Sequence, residues 1–200
     1  MYEDLEVLPL ERRHPSRPYL IVNMVTSLDG KTAIEGGTGT GDVPLESNLV
    51  RQEADPRALV LVPGGLAADV VARLRRHADV LRAPATPSGA VDLGEALRTL
   101  KAERGVELLL VEDSPSLIHS LFSGGLADEL FLTLAPKLLG GTSDETPTIL
   151  EGPQLPAGEW ADPHLLSAHL AGGELFLRYG VGALRTQRNF LGVRYGVLRV

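Results

Sequence analysis

The sequence predicts an α/β fold with a mostly parallel central sheet, flanking helices and an antiparallel hairpin at its C-terminal end. Three observations predict it. Residues 19–25, YLIVNMV, form an unbroken apolar run, the pattern of a strand covered on both faces. Residues 106–141 read as one complete strand–helix–strand unit. HLLSAHL and GELFLRYGV are two strand-like runs joined at Gly172-Gly173, a hairpin signal. Alternating strands and helices closed by a hairpin describe an α/β sheet with an antiparallel edge.

Residues 1–17 carry charges and two prolines and read as an arm on the body of the domain. The strand at 19–25 leads into TSLDGKTA and then EGGTGTGDVP, a loop by composition. A short helix is expected at 45–53. Ala58–Val62 is a second buried strand, broken at Pro63-Gly64-Gly65. Leu66–His77 is amphipathic, with Leu66, Val70 and Leu74 at four-residue steps, and Ala78–Leu81 is a short strand. Asp92 with Glu95 resembles a capping box and opens a helix running to about Arg104. In the next unit, Val106–Val111 is a buried strand ending in Glu112 and Asp113. Ser114 suits the N-cap, Pro115 the first helical position, and Leu117, Ile118, Leu121 and Phe122 make one apolar face. Gly124-Gly125 ends that helix and DELFLTLA is the following strand. Residues 141–163 read as a long surface loop. The last segment carries four arginines and no acid, and its RYGV at 194–197 repeats the RYGV at 178–181; an added edge strand is the plain reading. The domain is expected at 18–182, with a tail at 183–200.

Composition narrows the function classes. Two hundred residues suffice for one domain with its own core. A net charge of −7 argues against a nucleic-acid or anionic-membrane surface. With no cysteine, disulfides, thiolate zinc sites and a cysteine nucleophile are excluded. No apolar run reaches the roughly 20 residues that span a bilayer, and the first residues lack the pattern of a signal peptide. The expectation is a cytoplasmic protein without membrane or nucleic-acid partners.

Several residues could carry chemistry, and each has a structural alternative. Ser27-Leu28-Asp29-Gly30 is by itself a common turn in which the aspartate bonds to nearby backbone. Glu112 could complement the positive end of the following helix. Lys31 is one of three lysines beside 16 arginines, which points to a specific role, with a solvated lysine as the alternative. Arg51, on a short polar segment, reads as surface. GGTGTG lacks the Lys-Ser/Thr that makes a P-loop. His77 and His119 fall in helices without spaced partners, so no metal is expected.

Two motifs in order, NMVTSLDGKTA (23–33) and LLLVEDSPSLIHSLFSGGLADELFLTLAPKLLGG (108–141), resemble the pyrimidine reductase of riboflavin biosynthesis. Its pattern is S-x-D-G-K/R-x-A after a strand, then V-E-G-G-P-x-L, G-L-V-D-E-L and P-K-L-L-G-G. The likeness runs from Arg17 to about Val181. It implies a dihydrofolate-reductase-like single domain and hydride transfer from NADPH to C1 of the ribosyl group of a ribosylaminopyrimidinone 5′-phosphate. Such a reaction needs a cation or acid close to the carbon that accepts the hydride. By resemblance Lys31 and Glu112 are the catalytic pair. Asn23, Ser27, Asp29, Thr38 and Arg51 bind the phosphorylated pyrimidine, the arginine at its phosphate. Val25, Gly64, Gly65, Asp113, Ser114, Pro115 and Ser116 face the cofactor. The family also implies a homodimer formed through sheet edges, and with the zinc cysteines missing the pathway's deaminase is not expected.

The chain departs from the pattern in two places. Asp113 and Ser114 stand where the family has paired glycines, and an aspartate there brings negative charge to a pyrophosphate position. The segment between Gly41 and Leu66 is shorter than in the family by about one strand–helix connection. Either Pro63-Gly64-Gly65 is a reduced cofactor turn, or the later strand is the survivor. Two functions follow: an NADPH-dependent reductase with an altered cofactor cleft, or a non-catalytic or differently liganded dimeric binding protein of the same fold.

Overall fold

The computed structural model describes residues 14–32, 59–112, 114–142, 146–155 and 161–181. In chain order the elements are β1 (Tyr19–Ser27), β2 (Leu59–Pro63), α1 (Ala68–Leu74), β3 (Asp79–Ala83), α2 (Leu93–Arg104), β4 (Leu108–Val111), α3 (Pro115–Ser123), β5 (Glu129–Ala135), β6 (His164–Ala171) and β7 (Glu174–Gly180). The helix expected at 45–53, the arm before His14 and the tail at 183–200 lie outside the described residues.

Five strands form one mixed sheet in the order β4-β1-β5-β7-β6. β1 sits between β4 and β5, parallel to both, and β5, β7 and β6 continue antiparallel. The β6–β7 connection is the expected two-residue hairpin, with Gly172 at φ 60 and Gly173 at φ 85. A turn with both central residues at positive φ matches the twist of the strands it joins, and glycine adopts it without strain. The sequence places all strands in one sheet, whereas among the described residues β2 and β3 pair only with each other. Packing holds this pair to the body. Leu59, Leu61 and Leu81 join the main core, while Val62 and Val80 are covered by Val71 and Leu74 of α1.

The helices form where the capping chemistry indicates. Asp92 accepts the Glu95 N–H at 3.0 Å, and Gly105 at φ 64 closes α2. Ala96, Leu97 and Leu100 are its buried stripe; Ile118 and Leu121 are that of α3. Both stripes meet Leu20, Val22, Met24, Val111 and Leu130 on one face of the sheet. Helix α1 ends at Leu74, so His77 lies in the turn beyond it.

The run at 19–25 is not covered on both faces among the described residues. Leu20, Val22 and Met24 are buried, but Val25 on the opposite face is 56% exposed. Leu108 and Leu110 of β4 continue that face and are more than half exposed, so β4 is half-buried rather than buried. Of the described helices, α2 and α3 pack on one face of this sheet, while α1 covers the β2–β3 pair, and alternation along the strand divides an apolar sequence between core and open side.

Two neighbouring acids lock the sheet. Asp128 takes a two-pronged bond from the Arg17 guanidinium at 2.6 and 2.9 Å and also accepts the Leu20 N–H at 2.7 Å. Its own backbone bonds Leu20 O and receives the N–H of Val181 just beyond β7. Glu129, 1% exposed, is held by Arg178 of β7 at 2.7 and 2.8 Å and by the Tyr19 hydroxyl of β1 at 2.9 Å. Arg178 also lies 5.4 Å from the centre of the Phe131 ring. Glu129 raises the Arg178 pKa, chiefly through the hydrogen bond. Removing one partner of such a pair leaves a buried charge uncompensated, at about 3 kcal/mol. Arg178→Met should therefore destabilise the protein by about that amount in urea unfolding, and adding Glu129→Gln should recover part of it. Equal stability of parent and single variant would show the pair is not needed.

Candidate functional site

Because β4, β1 and β5 run parallel, their C-terminal ends fall on one edge of the sheet, where α/β folds commonly bind ligands. Both motifs singled out in the sequence end there. Asn23, on the open face of β1, donates its side-chain amide to Glu112 just past β4, at 2.8 Å. That bond joins the first motif to the second.

Past β1 the chain turns sharply. Ser27 N–H bonds Lys31 O at 2.9 Å, Lys31 N–H returns to the Ser27 hydroxyl at 3.0 Å, and Gly30 sits at φ 75. The Asp29 carboxylate accepts the Ser27 hydroxyl at 2.5 Å and then reaches across to the loop after β5. There it accepts Gly140 N–H at 2.7 Å and Leu139 N–H at 3.2 Å. Leu28 N–H bonds Lys137 O at 2.8 Å in the same loop. These donors, the Ser27 hydroxyl first and Gly140 next, lower the Asp29 pKa to about 2. The structure thus occupies Asp29 with fixing the P-K-L-L-G-G loop to the S-L-D-G-K turn.

Lys31 is fixed through its backbone. It forms an antiparallel bridge with Thr148, and Thr32 donates its N–H and hydroxyl to Pro147 O at 2.8 and 3.1 Å. Glu151 accepts the N–H and hydroxyl of Thr148 at 2.7 and 2.9 Å. These bonds lower its pKa, with a smaller contribution from the charge of Lys31.

On the other side of Glu112, α3 opens at Ser114, whose hydroxyl accepts Leu117 N–H and lies 3.0 Å from the Ser116 hydroxyl. Ser114 has φ 52, the one non-glycine residue with positive φ among those described. The left-handed conformation costs a serine about 1–3 kcal/mol. An N-cap contributes about 1 kcal/mol and offsets only the low end of that cost. Pro115 is buried beneath the turn. The Gly64-Gly65 turn bonds instead to β3: Gly64 N–H to Ala83 O at 2.8 Å, and Arg82 to the carbonyls of Gly64 and Leu66. Thr38, Arg51 and Asp113 lie outside the described residues.

The structure therefore brings together Asn23 with Glu112, Ser27 with Asp29 and Lys31, and Ser114 with Ser116. Sequence reasoning missed Glu151, whose signal was a carboxylate followed by glycine inside a loop assigned by composition alone. It also missed the Arg17–Asp128 and Arg178–Glu129 pairs, although both acids lie in the G-L-A-D-E-L motif. No group of three potential metal ligands occurs among the described residues, and none of their helices is long and apolar enough to cross a membrane.

The low pKa of Asp29 gives a signed prediction. A carboxylate stabilised as the anion contributes fully above its unfolded pKa, near 3.8, and loses that contribution as pH falls through about 2. Asp29→Asn should lower the unfolding midpoint at pH 7, and its deficit against the parent should shrink below pH 4 and vanish near pH 2. A deficit constant with pH would exclude the charge as its source.

The comparisons with known proteins follow the same lines. The family model described as the RibD C-terminal domain matches residues 38–168. The 2,5-diamino-6-ribosylamino-4(3H)-pyrimidinone 5′-phosphate reductase of Methanothermobacter thermautotrophicus is 28% identical over 219 residues, taking in 82% of this chain and 99% of that protein. The aligned length exceeds the share contributed by this 200-residue chain, so the relative carries sequence that is lacking here. Among solved structures, Acinetobacter baumannii RibD superposes with a TM-score of 0.58 at 16% identity, over 84% of this chain and 59% of that one. Riboflavin biosynthesis reductase Rib7 of Saccharomyces cerevisiae superposes with a TM-score of 0.53 at 15% identity, over 85% of this chain and 91% of that one. These superpositions establish a shared fold. By its sequence the chain belongs to the RibD C-terminal domain family.

Proposed function

We propose that the protein is an NADPH-dependent reductase of a ribosylaminopyrimidinone 5′-phosphate, delivering hydride to C1 of the ribosyl group. The observation that carries the reading is the Asn23–Glu112 bond, which joins the two motifs at the C-terminal edge of parallel strands. The Methanothermobacter relative, named as a reductase of such a compound, supports it.

In this reading Lys31 supplies positive charge beside the reacting carbon, and its fixed backbone keeps the ammonium in reach. Glu112, oriented by Asn23, holds a substrate hydroxyl or amine. Ser27 and Asp29 shape the turn that presents Lys31 rather than reacting themselves. Arg51 and Thr38 are proposed for the substrate phosphate. NADPH supplies the hydride when bound. The donor set at the start of α3 suits its phosphates, since the Ser114 and Ser116 hydroxyls are adjacent at a helix N-terminus. At Gly65 nothing lies within 4 Å of the place a side chain would occupy. Val25, exposed beside Asn23 on the same face, offers an apolar contact to the nicotinamide.

One observation favours the second reading, a binding protein with a degraded cofactor cleft: the strained Ser114 at a family glycine position. Calorimetric titration separates the two. The reductase reading expects micromolar binding of NADPH, weaker binding of NADH, and loss of at least a hundredfold in turnover in Lys31→Met. Absence of NADPH binding at millimolar concentration would reject it.

We also propose a homodimer and an 18–182 domain with a C-terminal tail. The edge strand β6 and its partner β7 expose Leu165, Leu166, Leu170 and Leu175, an apolar edge that tends to find a partner. Sedimentation at micromolar concentration should give twice the 21.4 kDa chain mass, and Leu170→Glu should shift it toward monomer. A parent protein that sediments as a monomer would end the proposal.

A further inference from the structure

We propose that His119 is a positioning residue for Lys31: its ring clips the segment 146–153 to α3, and that segment fixes the backbone carrying the lysine. The inference rests on the reading that Lys31 serves the reaction.

His119 lies on α3 one turn after Pro115, so the two share a face of the helix. Its Nε2 is 2.7 Å from Pro153 O. A carbonyl oxygen only accepts, so Nε2 carries the hydrogen and donates it. A side chain at Gly152 would begin 2.5, 2.6 and 2.8 Å from the ring atoms Nδ1, Cγ and Cδ2. The ring therefore lies across the backbone at Gly152, and only glycine fits beneath it. One residue earlier, Glu151 N–H bonds Pro115 O at 3.3 Å. Three consecutive residues, 151–153, are thus seated on one face of α3.

The other end of the segment carries the Lys31 turn. Thr148 is bridged to Lys31, and Pro147 O accepts the N–H and hydroxyl of Thr32 at 2.8 and 3.1 Å. Between the two ends the Glu151 carboxylate accepts the Thr148 N–H at 2.7 Å, so displacement at one end passes to the other. The helix is the fixed member, because Pro115, Ile118 and Leu121 are buried. Without the clip the segment shifts rather than α3, and the Lys31 backbone shifts with it. Asp29 holds the same turn from the loop after β5, so only one side of it loosens. Misplacing a reacting group in this way costs rate rather than ground-state binding.

Hydrogen exchange and kinetics together test the proposal. In His119→Ala the Thr32 amide, bonded to Pro147 O, should exchange about tenfold faster or more, while the Leu121 amide inside α3 keeps its protection. Turnover should fall about tenfold with NADPH affinity unchanged. His119→Gln, whose side-chain amide can donate to the same carbonyl, should restore much of both. In a Lys31→Met background, His119→Ala should lower turnover no further, since its target is gone. If His119→Ala fails to fold, Gly152→Ala, which drives the segment off the ring, carries the same comparison. Unchanged Thr32 exchange overturns the proposal, as does unchanged turnover in a protein that Lys31→Met inactivates; the reductase reading then stands. Loss of protection throughout α3 would assign the ring to folding of the helix and overturn it too. If Lys31→Met leaves turnover intact, or the parent protein shows none, the underlying reading fails and takes this one with it.

Discussion

The two-pronged bonds from Arg17 to Asp128 and from Arg178 to Glu129 fix how the strands of the main sheet meet. Asp128 ties the start of β1 to the end of β7, and Glu129 binds one residue from each of those strands. Buried ion pairs add little net stability over apolar replacements, because both charges give up their water. Their weight lies in specificity. A slip of one residue in β1 or β7 would move an apolar face outward and pull the paired charges apart. The register of β5 with its two neighbours is thus tied to electrostatics that an apolar core alone would not impose.

That register decides where the site can form. With β4, β1 and β5 aligned, Asn23 comes level with the end of β4, and the turn after β1 comes beside the loop after β5. Asp29 then closes the second contact with bonds to Leu139 and Gly140, and the Thr148 bridge adds a third wall. Each step is local hydrogen bonding, yet each depends on strand ends that the distant ion pairs align.

Much of this was legible. The capping residue Asp92, the helix opening at Ser114-Pro115 and the Gly172-Gly173 hairpin are local signals, and the structure follows them. The two motifs named the family because short segments of fixed spacing carry its turns. What was not legible is mostly non-local. The run YLIVNMV shows no alternation, so its open face at Val25 emerges only once the helices are seen to pack on one side. The separation of β2 and β3 depends on which strands they fail to pair with, and no local pattern encodes that. Asp29 read as a substrate group from its motif, and that its carboxylate also binds backbone amides 110 residues away could not be read from the local sequence. Glu151 was invisible for the converse reason: a composition typical of loops concealed a bridge with bonds at both ends.

The two halves of the proposed site differ in strain, and this bears on what the family's missing glycines mean. On the Lys31 side the turn, loop and bridge satisfy one another's backbone groups, and the positive φ angles there, at Gly30, Gly140 and Gly141, all fall on glycines. On the α3 side a serine takes the conformation that glycine would adopt freely, and it retains the helix cap. A change from glycine to serine at such a position preserves the path of the chain, because the cap offsets part of the backbone cost. It alters what can approach that turn, since a side chain now stands where a bare backbone would. The departures from the family pattern thus bear on the proposed cofactor approach, and the bond from Glu151 N–H to Pro115 O ties that turn to the segment bridged to Lys31. Because Glu112 directly precedes that turn, a change there reaches both the proposed cofactor approach and one of the proposed reacting groups.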